Sequence, residues 1–304
     1  AGYAALVALQ KQEDSLPAGA RTEVRARATE AGVHFAQAFP EHPESAGVLT
    51  RAAQDVFAAH DLPRAITLAE ALLARNPPVE VAKQRIAWTI IGQARFDQGG
   101  YAQSEPAFQH ALLVTDVTAA ERADLTERLA AAVYRQGEAR RQAGDEVGAA
   151  GDFLRVATVA PGSKVVPTAQ YDAAASLIIA KQWEQAIVVL EAYRRDYPHT
   201  EYAAEIPRKL AVAYVEAGRG ALAAAEFERI AAAPGEDPAV AREATLRAAA
   251  LYEQSGNPAR TTAMLFAILT VLIIPAIALV LGWLMGLVMA RLGINLKSRD
   301  LAEH

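Results

Sequence analysis

Residues 88–111 read WTIIGQARFDQGGYAQSEPAFQHA. Trp88 and Ile91 lie three apart before the Gly99-Gly100 pair, and Phe108 and Ala111 lie three apart after it. That spacing puts each apolar pair on one face of a helix, with the glycines ending the first helix and releasing the second. Working outward, turn positions fall at Gly99, Gly144, Lys181, Gly218 and Gly256, spaced 45, 37, 37 and 38 residues apart. Lys181 is the exception among glycines, so its turn must either strain a left-handed backbone or adopt a geometry that tolerates a side chain. Between the turns, apolar residues keep three- and four-residue intervals up to about residue 260, and strand-like alternation is nearly absent. Alanine dominates, which favours helices and lets them approach closely.

A recurring helical pair is the mark of a repeat architecture. The first unit carries Trp88, Ile91, Gly92, Gly99, Tyr101, Phe108 and Ala111. A second has Gly137, Gly144, Ala149, Phe153 and Pro161, a third Trp183, Ala186, Leu190 and Pro198, and a fourth Leu210, Tyr214, Gly218, Ala223 and Phe227. Weaker units surround Ala65 to Pro77 and Tyr252 to Gly256. On these residues the chain resembles a tetratricopeptide-repeat protein over about residues 43–268, with Ser104 standing where the family usually has alanine. The spacing exceeds the family's usual ~34 residues, so helices or turns are extended.

The pattern has a direct physical reading. Small residues such as Gly92 and Gly137 let paired helices approach, while Trp88, Phe108, Phe153, Trp183, Tyr214 and Phe227 fill the gaps between pairs. No pair buries enough surface alone, so neighbours must stack. The expected fold is all-α: a tetratricopeptide-like helical-hairpin solenoid followed by one transmembrane helix. The expected organisation is an N-terminal helical pair at 1–42, repeats at 43–260, a transmembrane helix at 261–290 and a short polar tail at 291–304.

The membrane expectation comes from TTAMLFAILTVLIIPAIALVLGWLMGLVMA, residues 261–290, which hold no charge between Arg260 and Arg291. As one helix these residues would measure about 45 Å at ~1.5 Å per residue, against a hydrocarbon core of about 30 Å. Pro275 near the centre lacks the N–H that would bond the Val271 carbonyl, so a kink is expected. Ala278, Gly282, Gly286 and Ala290 recur every four residues, a face for pairing with another transmembrane helix. Arg291, Lys297 and Arg299 after the segment, against Arg260 just before it, place the tail in the cytoplasm and the repeats in the periplasm. Ala1-Gly2-Tyr3 opens directly in a helical pattern with no signal peptide, so a signal was removed, the chain is a fragment, or the apolar segment is its own signal. The abrupt switch at residue 260 reads either as direct fusion of repeat and apolar helix or as a place where sequence is missing.

Composition narrows the function. Of 304 residues, 30 are basic and 35 acidic, and none is cysteine. An acidic repeat region is no polyanion binder, so nucleic acid is not an expected partner. Zero cysteine removes disulfides, thiolate catalysis and Cys-ligated metal sites. His34, His42, His60, His110, His199 and His304 are scattered and form no HExxH or comparable motif. Glu121, Asp124 and Glu127 share a helix face with Arg122 and Arg128 nearby, the pattern of a solvated amphipathic helix. No enzyme activity, cofactor or metal is therefore expected.

Tyr197 to Ala203 and Phe39 to Ala46 look like inter-repeat linkers of bacterial envelope repeat proteins, including outer-membrane assembly lipoproteins, whose lipid-bearing cysteine this chain lacks. The resemblance implies a membrane-anchored scaffold or assembly factor of the cell envelope, with proteins bound on the repeat surface and the lipid bilayer and a helix partner at the apolar segment. The competing reading is a structural subunit of a multi-protein membrane transport or secretion complex. Arg95, Gln98, Arg135, Gln136, Arg140 and Arg141 are candidate groove residues near the middle repeats.

Overall fold

The computed structural model describes residues 2–17, 20–115 and 117–291, without the side chains at 267–268, 271–276 and 290. The described residues are helical, with no strand among them. The chain divides into two compact units, residues 1–181 and 182–304. The first holds α1 (Gly2–Ser15), α2 (Arg21–Ala38), α3 (Ser45–Ala58), α4 (Leu62–Leu73), α5 (Val81–Asp97), α6 (Tyr101–Leu113), α7 (Ala119–Gln142), α8 (Glu146–Val159) and α9 (Val166–Ile179). The second holds α10 (Trp183–Asp196), α11 (Ile206–Glu216), α12 (Gly220–Ala231), α13 (Pro238–Gln254) and α14 (Pro258–Arg291).

Within the first unit each helix packs on the next in sequence, and α3, α5, α7 and α9 also touch one another in order. That second set of contacts turns separate hairpins into a stack. Its core runs from Val33 and Ala36 through Leu49, Ala53, Leu68 and Leu72 to Ile90, Ile91 and Ala107. In the second unit, α11 packs on α12, α12 on α13 and α13 on α14. Tyr252 of α13 joins Ala224 and Ala248 in a buried cluster that Met264 of α14 borders.

The turns explain where the helices stop. Gly99, Gly144, Lys181, Gly218 and Gly256 all have positive φ, and His60 makes a sixth such turn between α3 and α4. At Gly99 the next N–H, that of Gly100, donates back to the Arg95 carbonyl at 2.8 Å. Asp145 to Arg140, Arg219 to Tyr214 and Asn257 to Tyr252 repeat this six-to-one bond. Such a bond satisfies the orphan carbonyls at a helix end, and it requires the left-handed residue. The residue after the turn often caps the second helix: Asp61 accepts from Arg64 N and Asp145 from Gly148 N.

The membrane expectation does not hold. Among the described residues no helix is long and apolar enough to cross a membrane. The transmembrane helix at 261–290 therefore falls, and with it the bilayer and the transmembrane-helix partner. The single-pass topology with periplasmic repeats and cytoplasmic tail falls for the same reason, as do the membrane and envelope parts of both functional readings. The side chains of Pro275 and Ala290, and residues 292–304 of the tail, lie outside the described residues. Ala278 is exposed, and a Cβ added at Gly282 or Gly286 would meet nothing within 4 Å.

Candidate functional site

Repeat packing starts from two glycines. A Cβ at Gly92 would lie 2.7 Å from the Phe108 ring, and one at Gly137 would lie 2.7 Å from the Phe153 ring. Both phenyls are fully buried, so the first helix of each pair presses its backbone against the ring of the second. Beside them, Ser104 Oγ donates to the Gly92 carbonyl at 2.8 Å, which satisfies the hydroxyl that replaces the family's alanine. Trp88 is half-buried and stacks on His110 at 4.5 Å. Trp183 is half-buried at the start of α10. Phe227 is half-buried beside Ile230 and Ala244, with the Arg247 guanidinium 5.8 Å over its ring. Tyr214 is buried and donates its hydroxyl to Glu191. Burial, followed by that bond, pushes its phenol up to about 12.

Where α3, α5 and α7 lie side by side they form a groove of about 560 Å³. Phe57, Ile86, Ile90 and Leu125 supply apolar walls, and Gln54, Arg85, Glu121 and Asp124 supply the polar groups. Glu121 is fixed from two sides. It forms a capping box with Thr118 at the start of α7, and its Oε1 accepts from Arg85 Nη2 of α5 at 2.8 Å. The bond from the Thr118 N–H, then the Thr118 hydroxyl, holds this carboxyl below the ordinary glutamate range, so it stays ionised. Asp124, one turn on, accepts from Arg128 Nε at 2.7 Å.

The sequence reading and the groove overlap only in part. Glu121 and Asp124 line it, whereas Glu127 faces the start of α9 and accepts from Ser163 Oγ and Lys164 N. The six basic and amide residues proposed for a groove do not line this one. Four of the arginines sit in ion pairs: Arg95 with Glu70, Arg135 with Glu138, Arg140 with Asp152 and Arg141 with Asp172. Gln136 donates to Glu105 at 2.8 Å, and Gln98 follows the end of α5. Sequence reasoning missed Arg85 and the buried acids Glu13, Asp152 and Glu226. The Thr118-Ala119-Ala120-Glu121 capping signature was available and locates the start of α7.

Among the described residues no group of three His, Asp or Glu is placed to hold a metal ion. The buried hydroxyls of Ser45 and Ser104 donate to backbone carbonyls, and none of their bonds reaches a histidine.

A family model described as DVU0150-like matches residues 228–304, about a quarter of the chain. The match runs across residue 260, so the switch from repeat to apolar helix belongs to one matched stretch. No curated protein sequence matches. Among solved structures, the chain is similar to a tetratricopeptide repeat protein from Parabacteroides merdae at 13% identity and a TM-score of 0.35, covering 86% of this chain and 91% of that one. The TPR2AB-domain:pHSP90 complex of yeast Sti1 gives 12% identity and a TM-score of 0.37, covering 86% and 98%. YrrB, a TPR protein with an unusual peptide-binding site, gives 17% and 0.34, covering 69% and 96%. At such scores the fold assignment rests on this chain's own hairpins, turns and helix-on-helix contacts.

Proposed function

We propose that this chain is a non-catalytic protein-recognition module, and that the α3–α5–α7 groove receives a segment of its partner. The observation that carries this reading is a groove built from three successive hairpins, with apolar walls and a few fixed polar groups. Concave sites with that make-up are where ligands bind, and stacked hairpins are suited to present one to an extended or helical segment. The repeat-packing residues act at one remove. By seating Phe108 against Gly92, they set how closely α5 and α6 pack and hence where α5 stands in the groove.

Site-directed photo-crosslinking of the full chain tests the proposal. A photoreactive residue at Gln54 or Ala120, both exposed on the groove, should give a discrete adduct with a partner polypeptide. The same residue at Val147, exposed on α8, should not. Equal adducts from Val147 would refute the reading.

A further inference from the structure

The charged groups lining the groove are unequally accessible, and the inequality has a sign. The Arg85 side chain is only 15% exposed, and its guanidinium is engaged with Glu121. The carboxylate-bearing side chains of Glu121 and Asp124 are 43% and 59% exposed. An incoming segment therefore meets carboxylates, while the groove's one cation is turned into the protein.

From this accessible acidity we infer that the groove selects a partner segment in which a Leu, Ile, Phe or Trp anchor stands beside a Lys or Arg. The inference rests on the recognition reading above and narrows it to one ligand chemistry. The anchor would lie on Phe57, Ile86, Ile90 and Leu125, where burying apolar area drives binding. The cation would lie against the first turns of α7. An ionised carboxylate has about four acceptor sites, so Arg128 leaves Asp124 able to accept from a second cation. A ligand carboxylate at the same place would face two like charges, and the nearby cation, Arg128, is already held by Asp124 and Gln93. The chain's net charge of −5 acts in the same direction, steering cationic segments in and anionic ones away.

The test uses the full chain and an immobilised library of acetylated, amidated decapeptides with randomised sequence. Four proteins are compared: the natural chain, Asp124→Asn, Asp124→Lys and Ala120→Trp, each checked for native helicity by circular dichroism. Asp124 lies outside the capping pair Thr118–Glu121, so its substitution leaves that cap in place. The natural chain should retain peptides enriched about fivefold or more in Lys or Arg within two residues of a large apolar residue. The enrichment should fall in Asp124→Asn and reverse toward Asp and Glu in Asp124→Lys, and binding should weaken as salt rises. Ala120→Trp, which fills the groove, should lose the retained pool. A pool that Ala120→Trp removes but that shows no cationic preference, or an acidic one, overturns this inference and leaves the recognition reading standing. A pool indifferent to Ala120→Trp, or no retained pool at all, overturns the recognition reading itself.

Discussion

Gly92→Ala is the sharpest probe of how these hairpins are packed. Alanine is the better helix former by about 1 kcal/mol, so on propensity alone the change should stabilise α5. The geometry opposes it. The new Cβ would lie 2.7, 2.8 and 3.0 Å from Cε1, Cδ1 and Cζ of Phe108, and that ring is fully buried. Overpacking of this kind typically costs about 1–3 kcal/mol. The two terms leave a net loss of up to about 2 kcal/mol, or up to roughly 8 °C in Tm for a unit of this size, where propensity alone would give a gain. Gly137→Ala against Phe153 should behave the same way, with the same 2.7 Å approach. Gly151→Ala supplies the contrast: it sits in α8, a Cβ there meets nothing within 4 Å, and it should stabilise by up to about 1 kcal/mol. Urea unfolding followed by far-UV circular dichroism measures all three. A double mutant, Gly92→Ala with Phe108→Leu, should be less destabilised than the sum of its parts by about 1 kcal/mol, because the smaller side chain removes the clash. If Gly92→Ala raises the midpoint as Gly151→Ala does, or if the pair is simply additive, ring-on-backbone packing is not what this glycine is for.

Lys181→Gly should raise stability by up to about 1 kcal/mol in thermal melts, since Lys181 has φ of 57° and a left-handed non-glycine residue is strained by more than glycine's extra unfolded freedom offsets. Glu226→Gln should lower it by about 1–2 kcal/mol in urea unfolding, because the buried carboxylate accepts from both Arg194 and Arg229, and those arginines, being partly exposed, can rehydrate when it is gone. Burial raises the Asp152 carboxyl above its ordinary value despite Arg140 and Arg155, so the folded chain takes up that proton before the unfolded chain does. Relative to Asp152→Asn, the natural chain should therefore gain stability as pH falls through the folded pKa toward the ordinary aspartate value; a difference in urea midpoints that stays flat or shrinks as pH is lowered would contradict the assignment.

The turns were legible because left-handed backbone has few tolerant residues: glycine at four of the five positions marked the ends of α5, α7, α11 and α13 in the sequence itself. Lys181 was found only through spacing, and His60 was missed because nothing in its side chain announces a positive φ. The Gly92–Phe108 and Gly137–Phe153 pairs were readable as small-and-large positions, although which ring met which glycine required the fold. The groove was harder. Glu121 and Asp124 look like any solvated face of α7 until α5 is brought alongside and Arg85 closes onto Glu121. The arginines chosen from sequence have the composition of a binding surface, but long side chains find local acids first, and that competition is invisible in one dimension. The apolar stretch after residue 260 was read by length and lack of charge, whereas among the described residues no helix is long and apolar enough to cross a membrane.

What remains is why a groove spanning three hairpins should hold its shape well enough to discriminate. The answer lies in bonds that reach about one repeat along the chain. Arg85 to Glu121 spans 36 residues, Arg128 to Gln93 spans 35, and Tyr134 to Asp172 at 2.5 Å spans 38. The first two tie α5 to α7 from opposite partners, and the third ties α7 to α9. Apolar packing alone leaves neighbouring helices free to slide, because it is not directional; hydrogen bonds between side chains fix their register. The tie at Glu121 is also a helix cap, so the start of α7, its position against α5 and one of the groove's two carboxylates are fixed together. A site held this way loses little freedom when a ligand arrives, which favours affinity at modest contact area. The first turns of α7 thus hold the groove's shape through Glu121 and present its accessible acidity through Glu121 and Asp124 together.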